Sequence, residues 1–151
     1  MEKYLYSSEM FKEDTNKLVH MINDFQATEH NKFDLIIGVS RGGLIPAVRL
    51  SHLLNIPMVA VNYSLKDDRR HFAFNNEIRN TRNFHHKSIL LVEDLADSGN
   101  TLRELCEDHM QGMYVRTCVP LYKPHTSCIV PSFYARTYEG NGWVDFFWEI
   151  E

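Results

Sequence analysis

Two adjacent acids, a third acid and a cluster of small polar residues fall within one short run, Glu93-Asp94-Leu-Ala-Asp97-Ser98-Gly99-Asn100-Thr101. Neighbouring carboxylates accept hydrogen bonds from a diol and supply hard oxygen ligands to a divalent cation. The Asp-Ser-Gly-Asn-Thr turn leads into a predicted helix. Unpaired N–H groups at such a start, together with the helix dipole, make an anion site suited to phosphate. Acids for a diol or a metal therefore sit one turn from a phosphate cradle, which points to a phosphorylated sugar as ligand. Read as structure alone, the segment is an ordinary strand–loop–helix connection with an Asp-Ser cap.

These residues need elements that hold them in place. Ile89 to Val92 is a run of four apolar residues, the pattern of a strand covered on both faces in a parallel sheet. Glu93 and Asp94 end it at the carboxyl edge, where open α/β sheets place their ligands. A second unit has the same design: the strand Leu35–Val39, the turn Ser40-Arg41-Gly42-Gly43 and a helix over Leu44–Leu54, with Pro46 tolerated in its first turn. Paired glycines let backbone approach a ligand, and Arg41 offers a cation for phosphate. Two anion-binding turns at neighbouring strand ends suit a ligand with phosphates at both ends. Taken alone, Arg-Gly-Gly is a weak signal and a plain turn explains it as well.

The rest of the chain completes an α/β pattern. Ser7 or Ser8 caps a predicted helix to about Phe25, with Phe11, Leu18, Ile22 and Phe25 on one stripe. Strands are predicted at Met58–Tyr63, Val115–Tyr122 and Phe133–Thr137, and a helix from Thr101 to about Met110, closed by Gly112. Between them, Ser64 to His85 is a long polar stretch, the kind of connection that is functional or mobile. Gly140-Asn-Gly142 turns into an aromatic tail, Trp143 to Trp148. Alternating strands and helices predict a mostly parallel, twisted sheet flanked by helices, in a single domain over residues 1–151.

Composition excludes several classes. A net charge of −4 gives no general basic character, which argues against broad nucleic-acid binding. Hydrophobic residues at 44% argue against disorder. No apolar stretch is long enough to span a bilayer and no signal-peptide core opens the chain, so a cytoplasmic protein is expected. The three cysteines have no Cys-x-x-Cys spacing and read as reduced, mostly buried thiols. Eight histidines without His-x-x-x-His spacing argue against zinc. His85 and His86, neighbours on a strand approach, face opposite ways. The Phe146-Phe147-Trp148 cluster reads as packing or a subunit contact.

The segment Ile89 to Thr101 resembles the phosphoribosyl-diphosphate (PRPP) motif of type I phosphoribosyltransferases, with Asn100 where Gly is common. Ser40-Arg-Gly-Gly-Leu-Ile-Pro46 is similar to the pyrophosphate loop of the short 6-oxopurine branch, the bacterial xanthine-guanine phosphoribosyltransferases. Leu121-Tyr-Lys-Pro124 resembles its base-recognising Lys-Pro segment. Asn141 to Glu149 resembles its carboxyl-terminal Trp-hydrophobic segment, with Phe147 where Pro is usual. Lys3-Tyr4 and the helix start Ser8 to Phe11 match in type and position, so the likeness covers nearly the whole chain.

The resemblance implies a type I phosphoribosyltransferase fold with a small hood made of the amino- and carboxyl-terminal segments. It implies an enzyme that transfers 5-phosphoribose from PRPP to a 6-oxopurine and releases pyrophosphate. Glu93 and Asp94 would bind the ribose hydroxyls, directly or through Mg2+, and Asp97 would serve as general base or proton relay near N7. Ser98, Gly99, Asn100 and Thr101 would hold the 5-phosphate, and Arg41 and Gly42 the pyrophosphate, with a cis peptide before Arg41. Arg69 or Arg70 would close over the pyrophosphate. Lys123, Trp143 and Val144 would bind the base, in a homo-oligomer, a dimer or tetramer. Two alternatives stay open: a PRPP- or nucleotide-binding regulator without turnover, and a phosphoribosyltransferase for another base. Retention of Asp97, Arg41, a loop arginine, Lys123 and Trp143 together favours the enzyme, because a sensor needs the phosphate sites but no base set.

Overall fold

Apolar runs that do not alternate need cover on both faces, and the two richest in this chain lie at the middle of one sheet. The structure is a computed structural model that describes residues 2–63 and 86–149. In chain order its elements are β1 (Lys3–Tyr6), α1 (Ser8–Glu29), β2 (Leu35–Ser40), α2 (Leu44–Leu54), β3 (Met58–Asn62), β4 (Ser88–Val92) and β5 (Leu95–Ala96). There follow α3 (Asn100–Glu104), a π-helical turn (Leu105–His109), β6 (Tyr114–Tyr122), β7 (Phe133–Thr137), β8 (Trp143–Phe146) and a 3-10 turn (Phe147–Glu149). The polar stretch Ser64 to His85, with Arg69 and Arg70, lies outside the described residues.

Every pairing in the main sheet is parallel. β3 pairs β2, β2 pairs β4, and β4 pairs the first half of β6 from Ser88↔Tyr114 to Val92↔Cys118. The short β5 continues beside β6 at Leu95↔Leu121, and β7 pairs β6 as well. Parallel order brings the carboxyl ends of β2, β4 and β6 to one edge, where the chemistry-bearing turns emerge.

Consecutive residues of β2 and β4 serve opposite faces. Ile37, Leu91 and Val39 pack with Leu102 and Leu105 on one side; Ile36, Leu90 and Val92 pack with Leu18, Ile22, Ala47 and Leu50 of α1 and α2 on the other. Ile36, Ile37, Leu90 and Leu91 are fully buried, and burial of such a side chain contributes about 1.5–3 kcal/mol. Helices thus cover both faces, as the alternating pattern predicts.

Several boundaries differ from the sequence reading. Ser7 caps α1, its Oγ accepting from Met10 N at 3.2 Å. The helix runs past Phe25 to Glu29 because no breaker intervenes, and His30 ends it in the left-handed region at φ 50°. After Glu104 the helix widens into the π-helical turn, a change of winding that apolar spacing does not signal. Of the cysteines, Cys118 is buried and Cys106 partly so, but Cys128 is exposed, because it follows β6 in the turn beside the Ser98 loop rather than in the core.

β1 and β8 form a separate two-stranded parallel sheet, Lys3↔Trp143 to Tyr6↔Phe146. Tyr6, Val144 and Phe146 bury against Leu121 of the main sheet, and Trp148 stacks on Phe146 at 4.5 Å between ring centres. Tyr6 OH donates to Asp14 Oδ2 at 2.6 Å, and Arg136 Nε donates to the same oxygen at 3.0 Å. One buried carboxylate therefore ties this hood to α1 and β7. No helix among the described residues is long and apolar enough to cross a membrane.

Candidate active site

At the end of β4 the chain is still in the sheet, with Glu93 N donating to Cys118 O at 3.1 Å. Glu93 Oε1 accepts from Asp94 N at 3.1 Å, which sets the two carboxylates side by side. Both are half-buried. Burial pushes the Glu93 carboxyl well above the usual range, and the neighbouring Asp94 adds to the shift. Burial also pushes Asp94 up to about 6, with the Glu149 carboxylate raising it further. Two adjacent hard-oxygen donors that hold protons this tightly fit a cation or a diol, either of which would offset their desolvation. Among the described residues no group of three or more His, Cys, Asp or Glu side chains is placed to hold a metal, so oxygens from water or a substrate would have to complete a Mg2+ shell.

The turn after β5 is shaped by its packing. Asn100 N donates to Ser98 Oγ at 3.2 Å, and Arg103 N donates to Gly99 O at 3.0 Å. Gly99 has φ 76° and leaves no space for a side chain: a Cβ there would stand 2.6 Å from Ser127 Oγ. Cys128 N donates to Ser98 O at 2.7 Å, so the segment after β6 supports the loop from below. Ser98 and Asn100 are exposed on it and Thr101 is half-buried.

Asp97 and Lys123 are brought together from opposite sides of this turn. Lys123 N donates to Ala96 O at 3.0 Å, which fixes the turn after β6 beside β5. Lys123 Nζ then donates to Asp97 Oδ2 at 3.3 Å and to Gly142 O at 3.2 Å. The lysine is 6% exposed. Two of its three donors are thus engaged and a third is left for a ligand. Tyr138 lies under the ammonium at 5.6 Å from its ring centre and stacks on Tyr4 of the hood.

The turn after β2 faces the acids. The Ser40–Arg41 peptide is cis, as the resemblance implies. A Cβ on Gly42 would stand 1.9 Å from Asp94 Oδ2, so only glycine lets this turn close on the acid pair. Arg41, Gly42 and Ile45 line a cavity of about 630 Å³ together with Trp143, Trp148 and Glu149. Trp143 is 58% exposed and presents its indole to solvent. Val144, by contrast, buries its side chain in the hood.

Of the expected site residues, Arg41, Gly42, Glu93, Asp94, Asp97, Ser98, Gly99, Asn100, Thr101, Lys123 and Trp143 all gather at this edge. Sequence reasoning missed Thr126, whose Oγ1 donates to Asp97 Oδ1 at 2.9 Å, and Ile45 and Glu149 on the cavity wall. Glu149 carried a signal in its place at the end of the Trp-hydrophobic segment. Thr126 carried none, because its contact spans the turn after β6.

A parallel sheet with a PRPP-type acid turn and a glycine turn packed against it defines a class. Residues 6–149 match the phosphoribosyl transferase domain family, and the chain belongs to that family. It is an enzyme of phosphoribosyl transfer. The chain is 31% identical over 119 residues to the xanthine-guanine phosphoribosyltransferase of Idiomarina loihiensis, covering 76% of this chain and 70% of that one. Its fold matches the crystal structure of a purine phosphoribosyltransferase from Pyrococcus horikoshii, with a TM-score of 0.74, 26% identity and coverage of 100% and 96% of the two chains. It also matches the fold of the Helicobacter pylori xanthine-guanine-hypoxanthine phosphoribosyltransferase, with a TM-score of 0.75, 20% identity and coverage of 99% and 95%.

Proposed function

We propose that this enzyme transfers 5-phosphoribose from PRPP to N9 of a 6-oxopurine (xanthine, guanine or hypoxanthine) in purine salvage, releasing pyrophosphate. The observation that supports it most is the run of contacts from Asp97 through Lys123 to Gly142, the residue before Trp143. An acid, a donor-only ammonium and an exposed indole then lie in order beside the phosphate turn. Ser98, Gly99, Asn100 and Thr101 hold the 5-phosphate, and Arg41 and Gly42 hold the pyrophosphate. Glu93 and Asp94 take the ribose hydroxyls, and the chemistry that Mg2+ supplies when bound there is charge neutralisation on the leaving group. N9 forms its bond to C1 as the C1–O bond breaks and that electron pair leaves with pyrophosphate. The proton on N7 passes to Asp97, and the third Lys123 donor reaches the exocyclic O6. Trp143 stacks on the purine, a contact worth about 1–3 kcal/mol elsewhere. An oligomer belongs to the same proposal, since Val48 and Leu53 expose apolar surface on α2.

One assay tests the reading: radiolabelled hypoxanthine, guanine, xanthine, adenine and orotate, each with PRPP and Mg2+. At least one 6-oxopurine is expected to turn over well and adenine poorly. Adenine or orotate turning over above all three 6-oxopurines would sink the assignment. Mg-PRPP binding without turnover of any base would favour the regulator.

A further inference from the structure

Asp97 is gripped at both carboxylate oxygens by one turn. Lys123 Nζ donates to Oδ2 at 3.3 Å. Thr126 Oγ1 lies 2.9 Å from Oδ1 and 2.8 Å from the Asp97 backbone oxygen, so its single proton is shared between the side chain and main chain of one residue. The turn that carries both donors is itself closed, with Thr126 N and Ser127 N donating to Lys123 O at 3.3 and 3.0 Å. Pro124 restricts the same turn by fixing its own φ. Thr126 is exposed, and an exposed hydroxyl could equally be satisfied by water. Here it reaches back instead to a residue 29 positions earlier. Holding a carboxylate by its own carbonyl and by one oxygen fixes the side-chain rotamer as well as the backbone. Nothing in the reaction as proposed above uses this hydroxyl.

We propose that Thr126 is a positioning residue for Asp97, setting the carboxylate in the orientation that accepts the purine proton. The inference rests on the reading of Asp97 as that acceptor. A positioning residue acts through the group it holds, so the effect of Thr126 should appear in turnover and pass through Asp97 alone.

The experiment compares Thr126→Val, which keeps the shape and loses the hydroxyl, with Thr126→Ser, which keeps the hydroxyl, in the full chain and again in the Asp97→Asn background. Thr126→Val is expected to lower kcat about tenfold or more, the scale of one hydrogen bond to a charged group, with KM for PRPP within about twofold. Thr126→Ser is expected to stay within about twofold of the parent. In the Asp97→Asn background, Thr126→Val is expected to have no further effect, because the group it positions is gone. Thr126→Ala repeats the comparison without the branched side chain should the valine variant fold poorly. A parental rate in Thr126→Val, or an equal loss with and without the Asp97 carboxylate, would overturn the inference. Undiminished turnover in Asp97→Asn alone would instead overturn the role of Asp97 on which it rests.

Discussion

A carboxylate that holds its proton above the ordinary carboxylate range sits where water solvates it poorly. Asp94 titrates at about 6, raised chiefly by burial, so its ionised form is disfavoured in the folded protein relative to the unfolded chain. The cost is present above pH 6 and is relieved as pH falls through 6 toward the ordinary carboxylate range. Asp94→Asn, neutral at every pH, is therefore expected to raise Tm at pH 7.5 by about 2–4 °C, with the gain fading below about pH 4. Calorimetry at the two pH values checks this, and a constant gain would mean that charge is not its source. The same variant should lose PRPP binding, the usual conflict between stability and a working site. Asp97 is a different case, half-exposed and already partnered. Asp97→Asn should lower kcat by about two orders of magnitude or more, with PRPP affinity little changed. Steady-state kinetics with PRPP and base varied in turn separates the two effects.

Turns and strands place these groups, and two elements can be tested by substitutions that remove none of the reacting side chains. Gly42→Ala puts a methyl group where Asp94 Oδ2 stands. Either the turn after β2 or the acid pair must move, and PRPP affinity is expected to fall at least tenfold while the fold survives. Binding calorimetry beside a thermal melt distinguishes that outcome from general unfolding. The hood depends on Asp14, 3% exposed, with Tyr6 and Arg136 as partners. Asp14→Ala leaves the Tyr6 hydroxyl unpaired and Arg136 with Glu13 alone, and should destabilise the protein by about 3 kcal/mol, with base KM rising more than PRPP KM. The central strands were legible because Leu35–Val39 and Ile89–Val92 are apolar without alternation, and both turns followed from acids or glycines at their ends. β1, β5 and β8 were not. Lys3–Tyr6 and Trp143–Phe146 become strands only through each other, and no local pattern announces a partner at the other end of the chain. Leu95–Ala96 is too short for any period.

For the molecule as a whole, specificity is where the division of labour shows. The residues proposed to hold the sugar phosphate emerge from one edge of the main sheet, whereas Trp143 belongs to the hood and Lys123 bridges the two. Lys123→Ala should consequently weaken 6-oxopurine use far more than PRPP binding, since it removes the donor to O6 and loosens the hood contact through Gly142. An equal loss of both would mean that the lysine serves only the fold. The residues assigned to the sugar phosphate were readable because each motif is contiguous. Thr126 and Glu149 were harder, since their contacts depend on how distant segments meet. The pairing of β1 with β8 also has a consequence for the order of folding. Among the described strands this pairing joins residues furthest apart in sequence, from Lys3↔Trp143 to Tyr6↔Phe146. All other sheet partners can assemble while β1 waits with Leu5 and Tyr6 unpaired, a contact of high sequence separation and hence a late one. The scaffold assigned to the sugar phosphate can thus be complete before the hood assigned to the base has closed.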